Sequence, residues 1–465
     1  MSTRTEYDSL GEKQVPADAY WGLQTLRTLE VFPISGLTEP PAFVDAMVMV
    51  KKAAAVTHKE LGLLDAEIAD AIAQAADDIL GGELRDQFCV DVYHMGAGTS
   101  FNMNVNEVLA NRAVEILGGT KGDYSVVHPN DHVNMSQSTN DSIPTAMRVA
   151  IRNHLNELFT VLDDLNGALA GKAEEFDSVI KSGRTHLQDA VPVRLGQEFA
   201  AYATTVAKCK RLIEVAAHEV EELGIGGSAA GTGMNTHPDY RARVVDLLGE
   251  WTGIAFRPAA DMREAMGSNL PISTVAGALR NLALEVTRIS NDLRLLCSGP
   301  LTGFAEVTLP PVQPGSSIMP GKINPSVPEM LNMVCFQVIG NDLTIGMAVQ
   351  AGQLQLNVMM PLMAYNALFS IEIIKNALRQ LTDRCIVGIE ANREQCERYA
   401  YLTPAAATAL NTHIGYAKAG EVVKEALRDG KTIIDVVRDN ELLTEEQIAD
   451  VFDAFKMTEP GIPGR

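Results

Sequence analysis

Residues 195–223, LGQEFAAYATTVAKCKRLIEVAAHEVEEL, carry apolar side chains at alternating spacings of four and three. An α-helix has about 3.6 residues per turn, so this spacing places one apolar stripe along a helix. A helix over the whole stretch would be about 42 Å long at a rise of about 1.5 Å per residue. The stripe consists of Leu195, Phe199, Tyr202, Val206, Cys209, Ile213, Ala216, Val220 and Leu223.

Two other stretches repeat this pattern, one before and one after it. Stripes of this kind suit helices that pack nearly parallel in an elongated bundle, facing one another or a partner subunit. Strands and helices do not alternate along the chain, and no glycine fingerprint follows a predicted strand. Both observations argue against a nucleotide-binding sheet. We therefore expect a mainly all-α protein with a central bundle of long helices. The two further stripes are Ile151, Leu155, Leu158, Leu162, Leu165 and Leu169, and Val275, Leu279, Leu282, Val286, Ile289, Leu293 and Leu296.

The length of the chain predicts more than one domain. At 465 residues it exceeds what one compact core usually holds, so it forms two or three domains or one long domain that oligomerises. Residues 1–140 are mixed, with short helices and turn-rich segments. Residues 141–390 form the long-helix domain and contain a flexible loop at 313–326. Residues 391–465 are predicted to be a small helical domain.

Composition favours helices, and the net charge argues against a nucleic-acid partner. The chain is 46% hydrophobic but only 5% aromatic, a mixture that favours helices. Its net charge of −21 argues against nucleic-acid binding, for which a basic face supplies most of the affinity. We expect no nucleic-acid partner.

Cysteine usage and the N-terminus indicate a cytoplasmic protein. The six cysteines form no Cys-x-x-Cys pair and have no histidine at metal-ligand spacing, so we expect reduced thiols, no metal and no cofactor. The first residues, MSTRTEYDSLGEK, are polar and lack the apolar core of a signal peptide. Residues 343–371 carry no charge, but their glutamines, asparagines and proline predict a buried helix and no membrane span.

Four polar clusters lie between the apolar stretches and are rich in Ser, Thr and Asn. These side chains donate hydrogen bonds to carboxylates without adding many fixed charges. The same residue types also cap helix starts, so capping remains an alternative for any one cluster, as for Asp141 or Ser142 ahead of Pro144. Four such clusters, each expected beside a helix end, favour a shared binding site. They are GAGTSFNMNVNE (96–107), NMSQSTND (134–141), SGRTHLQDA (182–190) and GSSIMPGKINP (315–325).

The stretch QPGSSIMPGKINP, residues 313–325, is too rich in Gly and Pro for a helix. It is either a plain connector or a mobile loop that carries chemistry. His186 lies among polar neighbours instead of on an apolar face, which favours a functional role over a structural one. The glycine-rich segment 224–235 lacks the Lys-Ser/Thr ending of a phosphate loop and predicts a tight turn between long helices.

The segment GSSIMPGKINP resembles the signature loop of the aspartase/fumarase superfamily of lyases, and the other three clusters are similar to further shared segments of that family. The resemblance runs from RTEYDSLGEKQVPADAYWGLQT near the start to LTEEQIADVF near the end. PGKINP is similar to the branch of aspartases and class II fumarases, whereas argininosuccinate and adenylosuccinate lyases carry different residues there.

Within this branch the sequence resembles aspartases more than fumarases. GAGTS, QSTND, PVQPGSS and AGQLQLNVM are similar to aspartase segments, while NMNVNEV, VHPND and TALNTHIGY are similar to fumarase segments. Met360 stands where aspartases usually carry Glu, and residues 264–273, with Pro271 near a helix start, depart from both. The resemblance therefore implies an aspartate ammonia-lyase. The alternatives are a class II fumarate hydratase, an ammonia-lyase for a substituted aspartate, and a bundle protein without activity, against which the intact polar residues argue.

The resemblance also implies the chemistry of the site. A base removes the proton next to one carboxylate, an aci-carboxylate dianion forms, and ammonia leaves to give fumarate. Ser316 is implied as the base, acting as an alkoxide, and we hypothesise that the amides of the 315–317 turn and the ammonium of Lys322 lower its pKa. Ser316, His186 and Lys322 are thus the expected catalytic residues.

The remaining candidate residues are expected to bind the substrate, a small dicarboxylate. One set would hold the reacting carboxylate, a second the other carboxylate and a third the amino group. The loop is expected to close over the bound substrate. The three sets are Thr99, Ser138, Thr139 and Ser317; Lys322 and Asn324; and Asn140, Thr185 and His186.

In this family several subunits contribute to one site, so the resemblance implies a homotetramer with shared active sites. The apolar stripes also amount to more surface than one thin bundle is expected to bury, which predicts a subunit interface with a core of about twenty helices.

Overall fold

The computed structural model describes residues 2–464, which are mainly helical, as the sequence predicted. The α-helices of this part of the chain are α1 Leu23–Val31, α2 Pro41–Glu60, α3 Ala66–Leu80, α4 Thr99–Ile116, α5 Thr139–Glu175, α6 Leu195–Glu219, α7 Tyr240–Thr252, α8 Met262–Gly267, α9 Leu270–Leu296, α10 Ser326–Gln350, α11 Met360–Leu381, α12 Arg393–Leu402, α13 Asn411–Ile414, α14 Tyr416–Asp429, α15 Ile433–Asp439 and α16 Glu445–Val451.

The strands are short and pair two by two. Three pairs are antiparallel and one, β5 with β6, is parallel. The pairs are β1 Thr3–Asp8 with β2 Gly11–Pro16, β3 Ile180–Thr185 with β4 Gln188–Arg194, β5 Glu222–Leu223 with β6 Arg257–Pro258, and β7 Val307–Thr308 with β8 Glu390–Ala391. Short 3-10 or π-helical turns cover Arg85–Gln87, Gly96–Gly98, Pro129–Val133, Thr382–Ile386, Pro404–Leu410 and Lys456–Thr458.

The chain divides into two compact units, each made of three segments. Unit 1 comprises Met1–Thr160, Cys209–Ala283 and Cys335–Lys375, and unit 2 comprises Val161–Lys208, Leu284–Val334 and Asn376–Arg465. By these bounds α5, α6, α9, α10 and α11 each contribute residues to both units. The division into three regions at residues 140 and 390 stays a prediction.

All three predicted stripes are buried, and each coincides largely with one helix, α5, α6 or α9. No stripe residue is more than 6% exposed in the single chain. The expectation that these stripes exceed what one chain can bury was therefore wrong, because the chain's own side chains cover them. The exposed apolar residues lie elsewhere, most clearly on α10.

Helix α6 is shorter than its stripe. It ends at Glu219, so Val220 and Leu223 lie beyond it although both are buried. The carbonyl of Leu223 accepts a hydrogen bond from the amide of Ala259 at 2.9 Å. The short parallel pair of β5 and β6 thus takes the place of a further helical turn.

The uncharged segment 343–371 forms two helices and not one. Helix α10 ends at Gln350 and α11 begins at Met360. Between them the Asn357 amide group donates to the carbonyls of Ala348 and Val349 at 3.0 and 3.1 Å, and so terminates α10. Pro361 at the second position of α11 suits the start of a new helix. No helix among residues 2–464 is long and apolar enough to span a membrane.

All six cysteines are free thiols, as the sequence predicted. Four of them are buried, and the other two are partly exposed. They contribute apolar packing, which is the usual role of buried reduced cysteine.

Candidate active site

Helix α4 begins at Thr99, directly after a glycine in the left-handed region. Gly98 has φ +94°, and a side chain there would lie 2.9 Å from Ile143 of α5. Only glycine permits both this conformation and this approach. The glycine therefore holds the start of α4, with Thr99 at its first position, close against α5.

The residues Ser138, Thr139 and Asn140 form the beginning of α5. The Ser138 hydroxyl oxygen accepts a hydrogen bond from the Asn140 amide at 3.1 Å. Asn102 in the first turn of α4 donates from its side-chain amide to the Thr139 hydroxyl at 3.3 Å, which joins the starts of the two helices. Helix N-termini carry partial positive charge and free amide donors, so this part of unit 1 is suited to a carboxylate.

The capping interpretation holds for part of this cluster. Asp141 lies inside α5, where its carboxylate accepts the Ser138 amide at 2.9 Å. Its second oxygen accepts the amides of Gly226 and Ser228 at 3.1 and 2.9 Å. Burial raises the pKa of Asp141 to about 6, although these amides favour the charged form. Asp141 thus fastens the glycine-rich segment 224–235 to the start of α5.

Asn140 has a structural partner as well. Its side-chain amide donates to the carbonyl of Ala229 at 2.8 Å. The glycine-rich segment is therefore a loop that supports the start of α5, in addition to the turn that the sequence predicted.

Lys51 of α2 is fully buried beside the residues that precede α5, and was not predicted. Its ammonium donates to the side-chain carbonyls of Asn134 and Gln137 at 2.8 and 3.0 Å. Burial lowers the pKa of Lys51 to about 7, against the attraction of Asp141. Two adjacent lysines in an otherwise apolar run, MVMVKKAAAV, are the signal that one of them, Lys51, has such a buried role.

The cluster 182–190 lies on a β-hairpin in unit 2, and not beside a helix end as expected. Strands β3 and β4 pair Thr185 with Gln188 across a two-residue turn. His186 and Leu187 both have positive φ, 55° and 58°, as a type I′ turn requires. Neither residue is glycine, so the sequence carries no glycine signal for this turn. Thr185 and His186 are exposed at the tip, and His186 has no side-chain hydrogen bond among residues 2–464.

Buried charges anchor the hairpin below its tip. The Arg184 guanidinium donates to Glu306 at 2.7 Å, and the Lys181 ammonium lies 2.7 Å from the other oxygen of Glu306. The Glu306 side chain is completely buried. Arg184 also lies over the rings of Phe304 and Tyr399, 4.2 and 5.2 Å from their centres. These contacts fix the backbone one residue before Thr185.

Ser316 lies in the loop of unit 2 that precedes α10. Its hydroxyl oxygen accepts hydrogen bonds from the amides of Ile318 and Met319, at 3.2 and 2.9 Å. The donors are therefore these two amides and not those of the 315–317 turn. Two amides aimed at one oxygen favour its negatively charged form. The same arrangement also occurs in serine-capped turns.

The loop is closed upon itself at its base. The Gly315 amide donates to the Lys322 carbonyl at 2.8 Å, and the Asn324 side-chain amide donates to the Gly315 carbonyl at 2.6 Å. A side chain at Gly315 would lie 2.6 Å from the Lys322 carbonyl oxygen, so glycine is needed there. One amide hydrogen of Asn324 thus holds the loop, whereas the sequence suggested a substrate contact alone.

The charge of Lys322 in this loop is not balanced by a neighbouring acidic residue of the described range. The Lys322 side chain is exposed and forms no ion pair with any residue of the described range 2–464. Ser317 is also exposed. Both remain available to a ligand.

The candidate residues thus fall into two groups. The structure brings Thr99, Ser138, Thr139 and Asn140 together in unit 1, and places Thr185, His186, Ser316, Ser317, Lys322 and Asn324 in unit 2. Lys51 and Glu306 are supporting residues that the sequence did not single out, whereas Asp141 has the capping role that the sequence left as an alternative.

Met360, the departure from the aspartase pattern, is fully buried at the start of α11. The second departure spans the end of α8 and the start of α9, where Asn269 is 1% exposed and neither polar atom of its side chain has a partner among residues 2–464.

Comparison with known proteins places the chain in a family. Residues 11–340 match the family described as "Lyase", and residues 407–459 match "Fumarase C C-terminus". The aspartate ammonia-lyase of Bacillus subtilis (strain 168) is 46% identical over 99% of this chain and 97% of that protein. The class II fumarate hydratase of Halobacterium salinarum is 51% identical over 99% of this chain and 98% of that protein.

A solved structure shows the same fold. The fumarate lyase:delta crystallin of Brucella melitensis, bound to cobalt, superimposes with a TM-score of 0.96 at 47% identity, over 99% of this chain and 100% of that one. The family matches, the full-length identities and the shared fold agree with the resemblance that the four polar clusters showed. The chain therefore belongs to the aspartase/fumarase superfamily of lyases.

Proposed function

We propose that this enzyme is an aspartate ammonia-lyase, which converts L-aspartate into fumarate and ammonia. The observation that carries the proposal is the Ser316 oxygen, which faces two backbone amides in a loop that also bears the free cation of Lys322. A serine needs this kind of preorganised positive environment to act as a base.

The proposed reaction begins with proton abstraction. The Ser316 alkoxide takes a proton from the carbon next to the reacting carboxylate, and the electron pair of the broken C–H bond moves into that carboxylate as an aci-dianion. The pair then returns to form the C=C bond, while the C–N bond breaks and the substrate ammonium leaves as neutral ammonia. Since the amine is already protonated, its departure requires no further acid.

The starts of α4 and α5 are proposed to stabilise the aci-dianion. Thr99, Ser138, Thr139 and Ser317 would donate hydrogen bonds to the reacting carboxylate, assisted by the positive ends of both helices. Lys322 would pair with the other carboxylate. Asn324 would offer that carboxylate its remaining amide hydrogen, since the first is used inside the loop.

Asn140, Thr185 and His186 are proposed to surround the amino group. The Asn140 side-chain carbonyl remains free to accept from an ammonium, because its bond to Ala229 uses only the amide hydrogens. Thr185 and His186 lie at the exposed tip of the β3–β4 hairpin, where a ligand can reach their side chains.

The site is proposed to be shared within a homotetramer. The support comes from α10, where Met333, Phe336, Leu343 and Met347 recur on one helical face and are 58–68% exposed. Apolar side chains in a continuous exposed row normally mark an interface. A small dicarboxylate is the proposed ligand, and the free thiols fit the cytoplasmic location that we propose.

A class II fumarate hydratase is the second candidate, favoured by the 51% identity to the Halobacterium enzyme. The segments GAGTS and QSTND, which lie at the starts of α4 and α5, support the ammonia-lyase instead, since they resemble aspartase segments. The third alternative, a substituted aspartate as substrate, rested on Met360. It loses support because this side chain is buried within the chain.

A substrate panel tests the proposal. Absorbance of the unsaturated product should appear with L-aspartate, as fumarate, and neither with L-malate nor with 3-methylaspartate, which would give methylfumarate; fumarate with ammonia should give L-aspartate. The Ser316→Ala protein, purified in the same way, controls for host enzymes that carry out either reaction. Turnover of L-malate that exceeds that of L-aspartate would replace the proposal with the hydratase.

A further inference from the structure

A cavity of about 300 Å³ lies in unit 2, away from every candidate active-site residue. The base of the β3–β4 hairpin forms one wall, through Val179, Ile180 and Pro192. The C-terminal helices form the opposite wall, with Ile434 and Phe452 among its apolar side chains. Its size is at the lower end of the roughly 300–1,000 Å³ typical of small-molecule sites.

Two opposite charges line this cavity one helical turn apart on α12. The Arg393 guanidinium donates only to neutral acceptors, the Ser178 hydroxyl at 3.0 Å and the Glu175 carbonyl at 3.4 Å. Glu397 lines the same cavity. Within the described range 2–464 neither side chain forms an ion pair, although residues four apart on a helix are neighbours. Both charges therefore remain free for a ligand.

The combination of Arg393, Glu397 and the apolar walls defines the chemical class of the ligand. A simple carboxylate would be repelled by Glu397, and a simple amine would be repelled by Arg393. A zwitterion satisfies both, and the apolar walls favour a large apolar group attached to it. We propose that this cavity binds an α-amino acid with a large apolar side chain, its carboxylate on Arg393 and its ammonium on Glu397.

The position of the cavity allows a bound ligand to stabilise the β3–β4 hairpin. A two-stranded hairpin is only marginally stable by itself and depends on what packs against it. Strand β3 packs against α12, and β4 packs against the turn Pro404–Leu410. A ligand between these elements adds contacts that exist only in the packed state, so it stabilises the hairpin that carries Thr185 and His186.

Calorimetry on the full chain tests the site with L-phenylalanine as the probe. Phenethylamine lacks the carboxylate and 3-phenylpropionate lacks the ammonium, so each should bind at least tenfold more weakly than L-phenylalanine. Saturating L-aspartate should not weaken the binding of L-phenylalanine, because the two sites are separate. The absence of any heat up to about 10 mM, equal binding of the three compounds, or competition by L-aspartate would overturn the proposal.

Two variants locate the binding. Glu397→Gln removes an exposed charge that has no partner within residues 2–464, and should weaken L-phenylalanine at least tenfold without weakening 3-phenylpropionate. Ala400→Phe fills the cavity and should abolish binding of both compounds. If Ala400→Phe does not fold, Glu397→Gln still decides. Unchanged L-phenylalanine affinity in Glu397→Gln would refute the assignment.

Hydrogen exchange tests the effect on the hairpin without any enzyme assay, so it stands apart from the proposed lyase reaction. Saturating L-phenylalanine should slow exchange of the β3 and β4 amides at least threefold, and Ala400→Phe should remove this protection. Exchange that is the same with and without bound L-phenylalanine would overturn the link between cavity and hairpin.

Discussion

A serine hydroxyl acts as a base only after it has lost its proton, and at Ser316 the amides of Ile318 and Met319 are placed to donate to the resulting charge. Ser316→Ala would remove the proposed base and leave those two amides exposed to water, so folding should be unchanged. We expect kcat to fall by about 10²–10⁴-fold. Steady-state fumarate production measures this loss.

Ser317→Ala is the matched control for this prediction. Ser317 is a neighbouring, exposed hydroxyl of the same loop, proposed to donate to the reacting carboxylate and not to take the proton. Its loss should reduce kcat by less than the loss of Ser316. A Ser316→Ala enzyme that retains more than about a tenth of wild-type turnover would remove Ser316 as the base.

Lys322 is proposed to bind a carboxylate in the ground state and the transition state alike. Lys322→Ala should therefore raise the KM for L-aspartate and weaken inhibition by succinate more than it lowers kcat. If the ammonium also stabilises the Ser316 alkoxide, kcat should fall as well, most visibly at neutral pH. Lys322→Arg keeps the charge and should recover part of the affinity. Unchanged succinate inhibition in Lys322→Ala would exclude Lys322 from the site.

The buried Lys51 should make stability depend on pH. Its pKa is lowered by burial to about 7 in the folded protein, against a normal value of 10.5. Between these two values the unfolded state binds more protons, so stability rises with pH. Relative to Lys51→Met, the wild-type protein should gain up to several kcal/mol as the pH rises from about 7 to about 10.

Chemical denaturation of both proteins across this pH range measures the difference. Lys52→Met is the control, because Lys52 is the adjacent residue but is partly exposed and paired with Asp77. It should leave the pH slope unaltered. A Lys51→Met protein whose slope equals that of the wild type would contradict the shifted pKa.

At the scale of elements, the buried carboxylate of Glu306 anchors strand β3 of the β3–β4 hairpin. Glu306 neutralises both Lys181 and Arg184 in a buried position. Glu306→Gln keeps the shape but leaves Arg184 without an ionic partner among residues 2–464 and Lys181 with Glu198, so we expect the unfolding free energy to fall by up to about 3–5 kcal/mol. Since Arg184 precedes Thr185, kcat should fall too.

Thermal or chemical unfolding measures the stability, and the substrate panel measures activity. Glu285→Gln is the control: Glu285 pairs with Arg288 at the surface, where an ion pair is worth at most about 1 kcal/mol. Equal stability of Glu306→Gln and Glu285→Gln would show that the buried network does not support the hairpin.

The sequence predicted those elements whose pattern is local. The stripes of α5 and α9 follow the helical period, so both helices and their buried faces were confirmed. The hairpin 180–194 was missed, because His186 and Leu187 adopt positive φ without being glycine. The interruption between α10 and α11 was missed as well, since it depends on hydrogen bonds from Asn357 to the end of α10.

The same limit applies to the candidate site. Motifs indicated Ser316 and its loop, but not that its amide partners are Ile318 and Met319, because donors depend on how the loop turns. Lys51 and Glu306 lie far in sequence from the residues that they hold. Such long-range pairs leave no periodic signal in one sequence. The polar residue types were therefore predictable, whereas their partners were not.

At the scale of the whole molecule, the apolar surface that calls for a partner is the exposed row on α10. The opposite side of this helix, including Cys335 and Val338, is buried in the chain, so α10 is apolar on both faces. A helix that is apolar all round is normally buried on all sides. This is the physical reason to expect further copies of the chain against α10, in place of the buried stripes that the sequence suggested.

A shared site in such an assembly makes a prediction about mixtures. If each site draws Ser316 and His186 from different subunits, then Ser316→Ala and His186→Ala proteins are each inactive alone. When the two are unfolded and reassembled together in equal amounts, about a quarter of the sites receive neither change, because each of two contributors is drawn from two kinds of subunit. Activity should return to about that fraction of wild type.

The control is the same experiment with Ser316→Ala and Lys322→Ala. Both residues lie on one loop, so both changes stay in the same contributor and every site keeps one defect. This mixture should regain no activity beyond that of its separate components. Recovery in the first mixture alone would therefore require that the hairpin and the loop of one site come from different subunits. No recovery in the first mixture, or full activity in a species that sedimentation shows to be monomeric, would refute the shared site.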